Sequence, residues 1–279
     1  SYLERIIIEL NKEFDFIFID CPAGIERGFY NAINNANEAI IVVNLDISSI
    51  RDADKVVGIL NSQNINNVSV VVNRVNVEEK DVNKLISYNV PTVIVGSTLS
   101  SEKIGSVDID YNSEVRRVVR EYLEKGITDI AMLKYKKKSM YFLNDVTKAV
   151  EDTFKEYGLE FNNYIEIDDS YHGTYEIAKE ILREGKINKV VIAPRDSLAA
   201  AFINAANDLN IKLDDTFEIF AIIGTKYSIM TRPLISSMDV DMYEVGSVAA
   251  RMLTKLLNGK LTNKVFKLPG EYIKRNSTK

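Results

Sequence analysis

Residues 189–209 have the sequence KVVIAPRDSLAAAFINAANDL, and this stretch decides the fold class. Its first part, Lys189–Ala193, is a short apolar run of the length and β-branched content typical of a buried strand. Its second part, Ser197–Leu209, carries alanine and aliphatic residues at helical spacing. A buried strand followed directly by a helix is the repeating unit of a parallel sheet covered by helices.

The same alternation extends in both directions and predicts an α/β protein with parallel sheets flanked by helices. The predicted strands are Phe16–Ile19, Ala39–Val43, Val68–Val72, Thr92–Val95, Asp129–Leu133, Tyr164–Ile167, Lys189–Ala193, Glu218–Ile222 and Asn263–Leu268. The predicted helices are Tyr2–Glu13, Ile25–Ala36, Ser49–Leu60, Glu78–Tyr88, Ser113–Lys125, Leu143–Tyr157, Tyr171–Glu184, Ser197–Leu209 and Tyr243–Leu257.

The amino-acid composition argues against several classes of function. The chain has 279 residues, 46% of them hydrophobic, and a formal net charge of −5, so the whole chain has no electrostatic attraction to nucleic acid. A single cysteine, Cys21, excludes an internal disulfide and fits a reducing, cytoplasmic compartment. The longest apolar runs have strand length, too short to span a membrane. The basic run Lys134–Lys138 is expected to be a solvated loop.

Several motifs in the N-terminal part occur in a fixed order. Asp20-Cys21-Pro22-Ala23-Gly24 follows a predicted strand, as a Walker-B type acid does. Ser48–Asp54 forms the start of a polar helix, and Asn73-Arg74 follows the strand Val68–Val72. In this order and spacing, residues 1–76 resemble the middle of a MinD-type ATPase of the deviant Walker class. The resemblance implies weak nucleotide-binding positions at Asp20, Asn73 and Arg74, and a partner surface at Arg51, Asp52 and Asp54.

The phosphate-binding loop of that family is missing. No G-x-x-x-x-G-K-[ST] occurs in the sequence, so no backbone cradle or lysine is expected to hold nucleotide phosphates. We therefore expect no ATPase activity. The alternative roles are a capping role for Asp20, a solvated strand-end pair for Asn73 and Arg74, and an exposed helix face for Arg51, Asp52 and Asp54. Cys21 is expected to fill space as a small apolar residue.

The remaining sequence carries a second set of motifs. They are Val107–Tyr111, Lys125-Gly126-Ile127-Thr128-Asp129-Ile130-Ala131, Asp196-Ser197-Leu198-Ala199, Arg232-Pro233, Met242–Lys255 and the end Arg275-Asn276-Ser277-Thr278-Lys279. On these motifs, residues 77–279 resemble the LacI family of transcription regulators, and within it the catabolite-control members. The resemblance implies a two-lobe, periplasmic-binding-protein-like (type I) fold and a non-enzymatic, dimeric core, with the helix opened by Asp196 used for dimer contact. The implied lobes are residues 1–108 plus 238–258 and residues 109–237 plus 259–279.

The resemblance also implies a partner, the serine-phosphorylated phosphocarrier protein HPr. The corepressor-binding positions carried over are Tyr243, Glu244, Arg251, Thr254 and Lys255. The apolar stripe Val245, Val248, Ala249, Met252, Leu253 and Leu256 would leave Arg251, Thr254 and Lys255 exposed, where charge-assisted hydrogen bonds can hold a phosphoserine. A solvated basic face is the alternative. The sugar-binding acid of the family is absent from Ala221–Thr225, and its arginine is absent from Leu133–Thr147.

The two resemblances meet near Val75-Asn76-Val77, so the chain has the pattern of a chimera in which a MinD-like segment replaces the start of the first lobe. Part of the corepressor surface is expected to be lost with that replacement. No helix-turn-helix headpiece is present in the sequence, and we expect no DNA binding by this chain alone, no membrane contact and no cofactor. Asp168, Asp169 and His172 make a weak metal set and are expected to lie at a helix N-terminus. A residual MinD-like binding module and a ligand-free scaffold are the alternative functions.

Overall fold

The computed structural model describes residues 2–22, 24–44, 47–73, 91–96, 98–136 and 141–279. The chain divides into two compact units, and it passes between them three times. Unit 1 comprises residues 1–107 and 246–266, and unit 2 comprises residues 108–245 and 267–279. The predicted helix Glu78–Tyr88, the junction near Val75 and the predicted site residue Arg74 lie outside the described residues. The lobe boundaries implied by the resemblance stay a prediction about which parts of the chain fold independently.

Unit 1 is built on a sheet in which the described strands follow the order β1-β2-β3-β4-β10, with parallel pairing from β1 to β4. These strands are β1 (Glu38–Asn44), β2 (Asn67–Asn73), β3 (Thr92–Val95), β4 (Ile104–Asp110) and β10 (Val265–Pro269). The helices are α1 (Tyr2–Leu10), α2 (Arg27–Ile33), α3 (Ile47–Ser62) and α10 (Met242–Leu257), of which α10 begins in unit 2.

The two faces of this sheet are covered differently. On one face, Phe29 and Ile33 of α2 and Leu60 of α3 pack with Ala39 and Ile41 of β1. On the other face, α10 lies against β4. A Cβ placed on Gly105 would come within 2.7 Å of Met252 Sδ, so only glycine lets the helix approach this closely. Toward β1 this second face is open, since Ile40 and Val42 are exposed.

The predicted buried strand Phe16–Ile19 is wrong. Residues 16–20 belong to no strand, and the side chains of Phe16 and Phe18 are 80% and 81% exposed. The alternation Phe16-Ile17-Phe18-Ile19 has the composition of a strand, but no described strand of unit 1 pairs with it. A short apolar run becomes a strand only where a neighbouring strand offers hydrogen-bond partners, and composition alone does not supply one.

Unit 2 is built on a sheet with strand order β11-β9-β8-β7-β5-β6, parallel except for β11. Its strands are β5 (Ile130–Tyr135), β6 (Tyr164–Ile167), β7 (Val190–Arg195), β8 (Glu218–Ile223), β9 (Ser236–Asp239) and β11 (Glu271–Ile273). Its helices are α4 (Tyr111–Glu124), α5 (Tyr141–Glu156), α6 (Tyr171–Arg183), α7 (Asp196–Asp208), α8 (Leu213–Thr216) and α9 (Tyr227–Met230). The predicted strands and helices of this unit are confirmed to within about two residues.

The core of unit 2 lies on both sides of this sheet. Helix α7 lies almost wholly inside it, with Leu198, Phe202 and Ile203 buried, because α6 packs along it. Every residue of β7 up to Pro194 is buried, which explains why its sequence is continuously apolar. The fold class predicted from residues 189–209 is thereby confirmed.

Three strands escaped prediction: β4 in unit 1, and β9 and β11, which both belong to the anchorage of the C-terminal tail. Strand β9 begins with Ser236 and Ser237, and β11 has only three residues. Ser236 and Ser237 are fully buried because the tail supplies their partners: Ser277 Oγ accepts from Ser236 N over 2.8 Å, and Arg275 Nη1 donates to Ser237 Oγ over 2.7 Å. The tail Arg275–Lys279, which carried part of the family resemblance, is thus a component of the fold of unit 2.

Strand β4 contains the first four residues of the motif Val107–Tyr111, and Tyr111 begins α4. Asp110 Oδ1 accepts a hydrogen bond from Ser113 N over 3.1 Å and so caps that helix. No helix among the described residues is long and apolar enough to cross a membrane.

Candidate functional site

Helix α10 carries the predicted corepressor positions, and its buried stripe is the one that the sequence period predicts. Val245, Ala249, Met252 and Leu253 are buried, while Val248 and Leu256 are partly buried. The polar positions all lie on the opposite, exposed side of the helix. They are Tyr243, Glu244, Arg251, Thr254 and Lys255.

The start of α10 is fixed by a residue that the sequence analysis did not single out. Asp241 Oδ1 accepts hydrogen bonds from Tyr243 N at 2.9 Å and Glu244 N at 3.1 Å. An aspartate followed by Glu244 at the third position is a capping signal that could have been found in the sequence. Tyr243 projects from this first turn and is 84% exposed, which is unusual for an aromatic side chain outside an interface.

The cationic part of this surface, formed by Arg251, Thr254 and Lys255, lies wholly in unit 1. Arg251 uses only Nε, which donates to Ser247 O at 3.2 Å, so its two terminal nitrogens have no acceptor among the described residues. Lys255 Nζ likewise has no carboxylate partner in the described part of the chain. One helical turn separates the two cations, so both can reach one phosphate group.

Thr254 is less available than its sequence position suggests. Its hydroxyl donates to Ala250 O over 3.0 Å, inside the same helix. In this rotamer the oxygen can accept a hydrogen bond from a ligand but cannot donate one. A phosphate needs donors, so Arg251 and Lys255 carry the charge complementarity. The negative end of the helix dipole lies at this end of α10 and opposes an anion, which leaves the side chains alone to hold it.

Of the nucleotide-binding positions implied by the N-terminal resemblance, the structure describes Asp20 and the backbone of Asn73. Asp20 is exposed and follows an extended segment that lies in no strand. Its alternative role as a helix cap is wrong, because α2 has Glu26 as its N-cap residue, without a side-chain cap. Asn73 ends β2, opposite Asn44 of β1, and Arg74 lies outside the described residues. Nothing in the described chain forms a phosphate cradle around Asp20.

Other N-terminal residues behave as the alternatives predict. Arg51, Asp52 and Asp54 lie on the exposed face of α3, where Asp52 pairs with Lys55 at 3.2 Å. Cys21 is half-buried and packs against the cluster of α2 and α3. Burial, with a smaller contribution from the Asp20 carboxylate, raises the pKa of the Cys21 thiol, so the thiol stays protonated and is a poor nucleophile.

A second cluster of polar groups lies at the carboxyl edge of the unit 2 sheet. Asp196, at the end of β7, is fully buried, and its Oδ2 accepts four hydrogen bonds from the segment that follows β8. The donors are Thr225 N, Thr225 Oγ1, Ser228 N and Ser228 Oγ, at 2.6–3.0 Å. The carboxylate therefore ties this segment to α7, and it does not reach the protein surface.

Tyr135 Oη, Arg195 Nε and Asp196 Oδ1 are buried and make no hydrogen bond of good geometry within the described residues, and Tyr135 Oη lies beside the Arg195–Asp169 pair. Arg195 pairs through Nη2 with Asp169, and Asp168 lies 3.7 Å from Lys136. Burial raises the pKa of Tyr135 to about 12, against the opposing effect of the Arg195 charge. Buried polar atoms without partners at the carboxyl ends of parallel strands are typical of ligand sites in such sheets. Sequence analysis missed Tyr135 and Arg195.

His172 and the acids before it form no metal site. Ser170 Oγ accepts from Gly173 N over 3.0 Å and caps α6, which agrees with the predicted helix N-terminus. Asp168 and Asp169 face Lys136 and Arg195, and His172 is exposed. Within the described residues, no group of three or more His, Cys, Asp or Glu side chains is placed to hold a metal ion.

Comparison with known families gives the decisive match. The periplasmic binding protein-like domain family matches residues 119–278, which is more than half of the chain. The chain belongs to this family. Its α/β fold, with parallel sheets flanked by helices, agrees with that of the LacI-family domains. The structure of the transcription regulator CcpA of Lactococcus lactis has a TM-score of 0.69 and 22% identity, with coverage of 87% of this chain and 99% of that chain.

Other relatives illustrate the two resemblances. Catabolite control protein A of Priestia megaterium is 27% identical over 261 residues, 92% of this chain and 77% of the relative. The septum site-determining protein MinD of Synechocystis sp. is 46% identical over 85 residues, 30% of this chain and 32% of that protein. The chain thus spans about a third of MinD. A ribose-bound LacI-family regulator from Enterococcus faecium shares the fold with a TM-score of 0.67, at 16% identity over 86% of this chain and 98% of that chain.

This periplasmic binding protein-like chain therefore carries two candidate binding regions, one in each unit. The first is the exposed cationic face of α10, and the second is the set of buried polar atoms of unit 2.

Proposed function

We propose that the chain is the non-enzymatic corepressor-binding core of a LacI-family, catabolite-control type regulator whose first unit carries a MinD-like segment. Its proposed partner is serine-phosphorylated HPr, bound through Tyr243, Glu244, Arg251, Thr254 and Lys255. The single observation that carries this proposal is the pair of cations on α10, for which the described residues supply no ion-pair partner. Arg251 offers its two terminal nitrogens and Lys255 its ammonium to an anion, with no described carboxylate competing for them.

The size of the interaction follows from charge-assisted hydrogen bonding. A hydrogen bond to a charged group contributes about 1.5–3 kcal/mol, and each 1.4 kcal/mol changes affinity about tenfold. Loss of Arg251 should therefore weaken phosphoprotein binding by roughly ten- to hundredfold. Loss of Thr254 should have a smaller effect, because its hydroxyl already donates within the helix.

The experiment is calorimetric titration of the whole chain with serine-phosphorylated HPr and with unphosphorylated HPr. We expect phosphate-dependent binding that is weakened by Arg251→Ala. The matched control is Arg51→Ala, which removes the same charge from an exposed helix face of the same unit. Equal binding of the two HPr forms, or equal weakening by the two substitutions, would contradict the proposal. Absence of heat with folded protein would favour the ligand-free scaffold.

A second candidate function rests on the three buried polar atoms of unit 2. Asp196 Oδ1 can accept hydrogen bonds, and Tyr135 Oη and Arg195 Nε can donate them, so a small molecule with hydroxyl groups would complement these atoms. The acid and the arginine that hold sugars in the family are absent here, so weak binding is expected, and ribose, which a regulator of the same fold binds, is the first probe. Ribose should raise the midpoint of thermal unfolding, and Tyr135→Phe should reduce that shift. Buried water at these atoms would give no shift with any sugar.

A further inference from the structure

The outer edge of β1 has no partner strand in the part of the chain that the structure describes. Strand β1 stands at the end of the sheet order of unit 1, and no described residue forms a backbone hydrogen bond to its outer side. An edge of this kind presents a row of free N–H and C=O groups to any strand that approaches it.

The side chains of β1 leave this edge unprotected. Along Glu38–Asn44 exposure alternates strictly, and the outward-facing residues Ile40 and Val42 are 49% and 65% exposed. Proteins protect edge strands with lysine, proline or a bulge, and β1 has none of these. Its only charge is Glu38, at the first residue.

The strand is also held rigidly in one register. Seven consecutive residues of β1 pair with β2, and Ala39 and Ile41 pack against the cluster of α2 and α3. Slippage by one residue would turn Ile41 out and Ile40 in, so the buried face fixes which side chains are presented outward. The edge is therefore a preformed template.

We propose that β1 pairs antiparallel with β1 of a second copy of this chain, around a two-fold axis at Ile41. In this register Ile40 of each copy lies opposite Val42 of the other, and the two exposed aliphatic pairs cover each other. Glu38 lies opposite Asn44, so no like charges meet. Parallel pairing would place Glu38 opposite Glu38 and would not close into a dimer. The two sheets of unit 1 become one continuous sheet.

Charge substitution on the exposed positions tests the surface. In the double variant Ile40→Lys/Val42→Lys, each lysine lies opposite a lysine of the partner, and in Ile40→Glu/Val42→Glu each glutamate lies opposite a glutamate. Sedimentation velocity should show that each variant alone has half the mass of the unsubstituted chain at the same concentration. A mixture of the two variants should recover the full mass, because lysine then lies opposite glutamate.

The control is Ile229→Lys/Met230→Lys, which changes two exposed apolar residues of α9 in unit 2 and should leave the mass unchanged. Recovery on mixing also shows that the variants are folded. The proposal is overturned if the lysine variant keeps the mass of the unsubstituted chain, if the unsubstituted chain forms no larger species than that variant, or if mixing restores nothing.

Cross-linking tests the register independently. In a Cys21→Ser background, single variants Ile40→Cys and Val42→Cys are oxidised separately and as a mixture. Cβ atoms of directly opposed residues lie about 4.5–5.5 Å apart, close enough for a disulfide after a small adjustment. The antiparallel register predicts dimers in the mixture and few in either variant alone. Cross-linking of each variant with itself would indicate the parallel arrangement and overturn the proposed register.

Discussion

Arg275 Nη2 donates a hydrogen bond to Asp239 Oδ2 over 2.6 Å, and this ion pair fastens the C-terminal tail to the end of β9. The other terminal nitrogen of Arg275 donates to Ile235 O and Ser237 Oγ, at 3.0 and 2.7 Å. The guanidinium side chain is only 12% exposed, so these bonds form largely out of contact with water. Removal of the arginine would leave buried acceptors without donors.

Arg275→Ala should therefore destabilise unit 2 by about 1–3 kcal/mol, the cost of leaving buried acceptors unsatisfied, since the Asp239 carboxylate is itself 43% exposed. Urea unfolding followed by circular dichroism measures this loss. Arg275→Lys should lose less, because an ammonium group can keep the Asp239 contact but cannot make all the bonds of the guanidinium. Equal losses from both substitutions would mean that bidentate geometry is unimportant here.

Gly224 lies beside the same network, and its replacement tests how tightly the network is packed. A Cβ at this position would lie 2.4 Å from Ser237 Oγ and 2.5 Å from Asp239 Oδ1. Gly224→Ala should cost about 1–3 kcal/mol, as overpacking of a filled site does. A chemical denaturation curve gives the value.

Gly246 supplies the matched control. It lies inside α10, and a Cβ there would meet no atom within 4 Å. Gly246→Ala should stabilise the protein by about 0.5–1 kcal/mol, because alanine has the higher helix propensity. Opposite signs for the two glycines are expected, and a shared sign would contradict the assigned environments.

Asp108 predicts a dependence of stability on pH. Burial raises the pKa of this carboxyl group, the neighbouring Asp145 and Asp110 raise it further, and the Ile109 N–H and the Lys267 charge oppose the shift. The native state then binds the proton more tightly than the unfolded chain does, so this group destabilises the fold as pH rises above the ordinary carboxyl range. Asp108→Asn should increase stability at pH 7, and the gain should shrink as pH falls through about 4.

The measurement is thermal unfolding of Asp108→Asn and of the unsubstituted chain, at pH 7 and at a pH of about 4. The difference in stability between the two proteins isolates the contribution of Asp108, because the other carboxylates are the same in both. Lower stability of the variant at pH 7 would show that the attraction between Asp108 and Lys267 outweighs the cost of burial.

Phe18 distinguishes the observed conformation from the one that its sequence favours. In a buried strand, Phe18→Ser would cost about 3–5 kcal/mol. With the ring 81% exposed, the change should stay within about 0.5 kcal/mol. The same denaturation experiment decides, with Phe220→Ser as the fully buried control in unit 2.

The sequence predicts unit 2 well because its strands are buried on both faces and its helices are amphipathic, so composition and period agree with the tertiary structure. Ser236 and Ser237 could not be assigned to a strand because their burial depends on Arg275 and Ser277, about 40 residues away. The strand prediction at Phe16 and Phe18 is wrong for the opposite reason. Their local pattern favours a strand, but no neighbouring strand is available among the described residues.

The candidate site on α10 could also be predicted from the sequence in part. The period of α10 separates Arg251 and Lys255 from the buried stripe, and the structure confirms that separation. The period does not show that the Thr254 hydroxyl donates to Ala250 O, because rotamer choice on an exposed helix face leaves no trace in the sequence. Tyr135 and Arg195 come together only when β5 and β7 become neighbours, which no local pattern encodes.

The attachment of the C-terminal tail to unit 2 also determines when this unit can fold during synthesis. Ser277 O accepts from Ile219 N, Ser277 Oγ donates to Ile219 O, and Lys279 N donates to Glu218 Oε2, so the final residues complete the hydrogen bonding at the start of β8. Unit 2 begins at Asp108, yet it cannot close its sheet until residues 271–279 have left the ribosome. Folding of unit 2 during synthesis therefore waits for this distant segment, and a nascent chain halted before it exposes an unfinished core to chaperones and proteases.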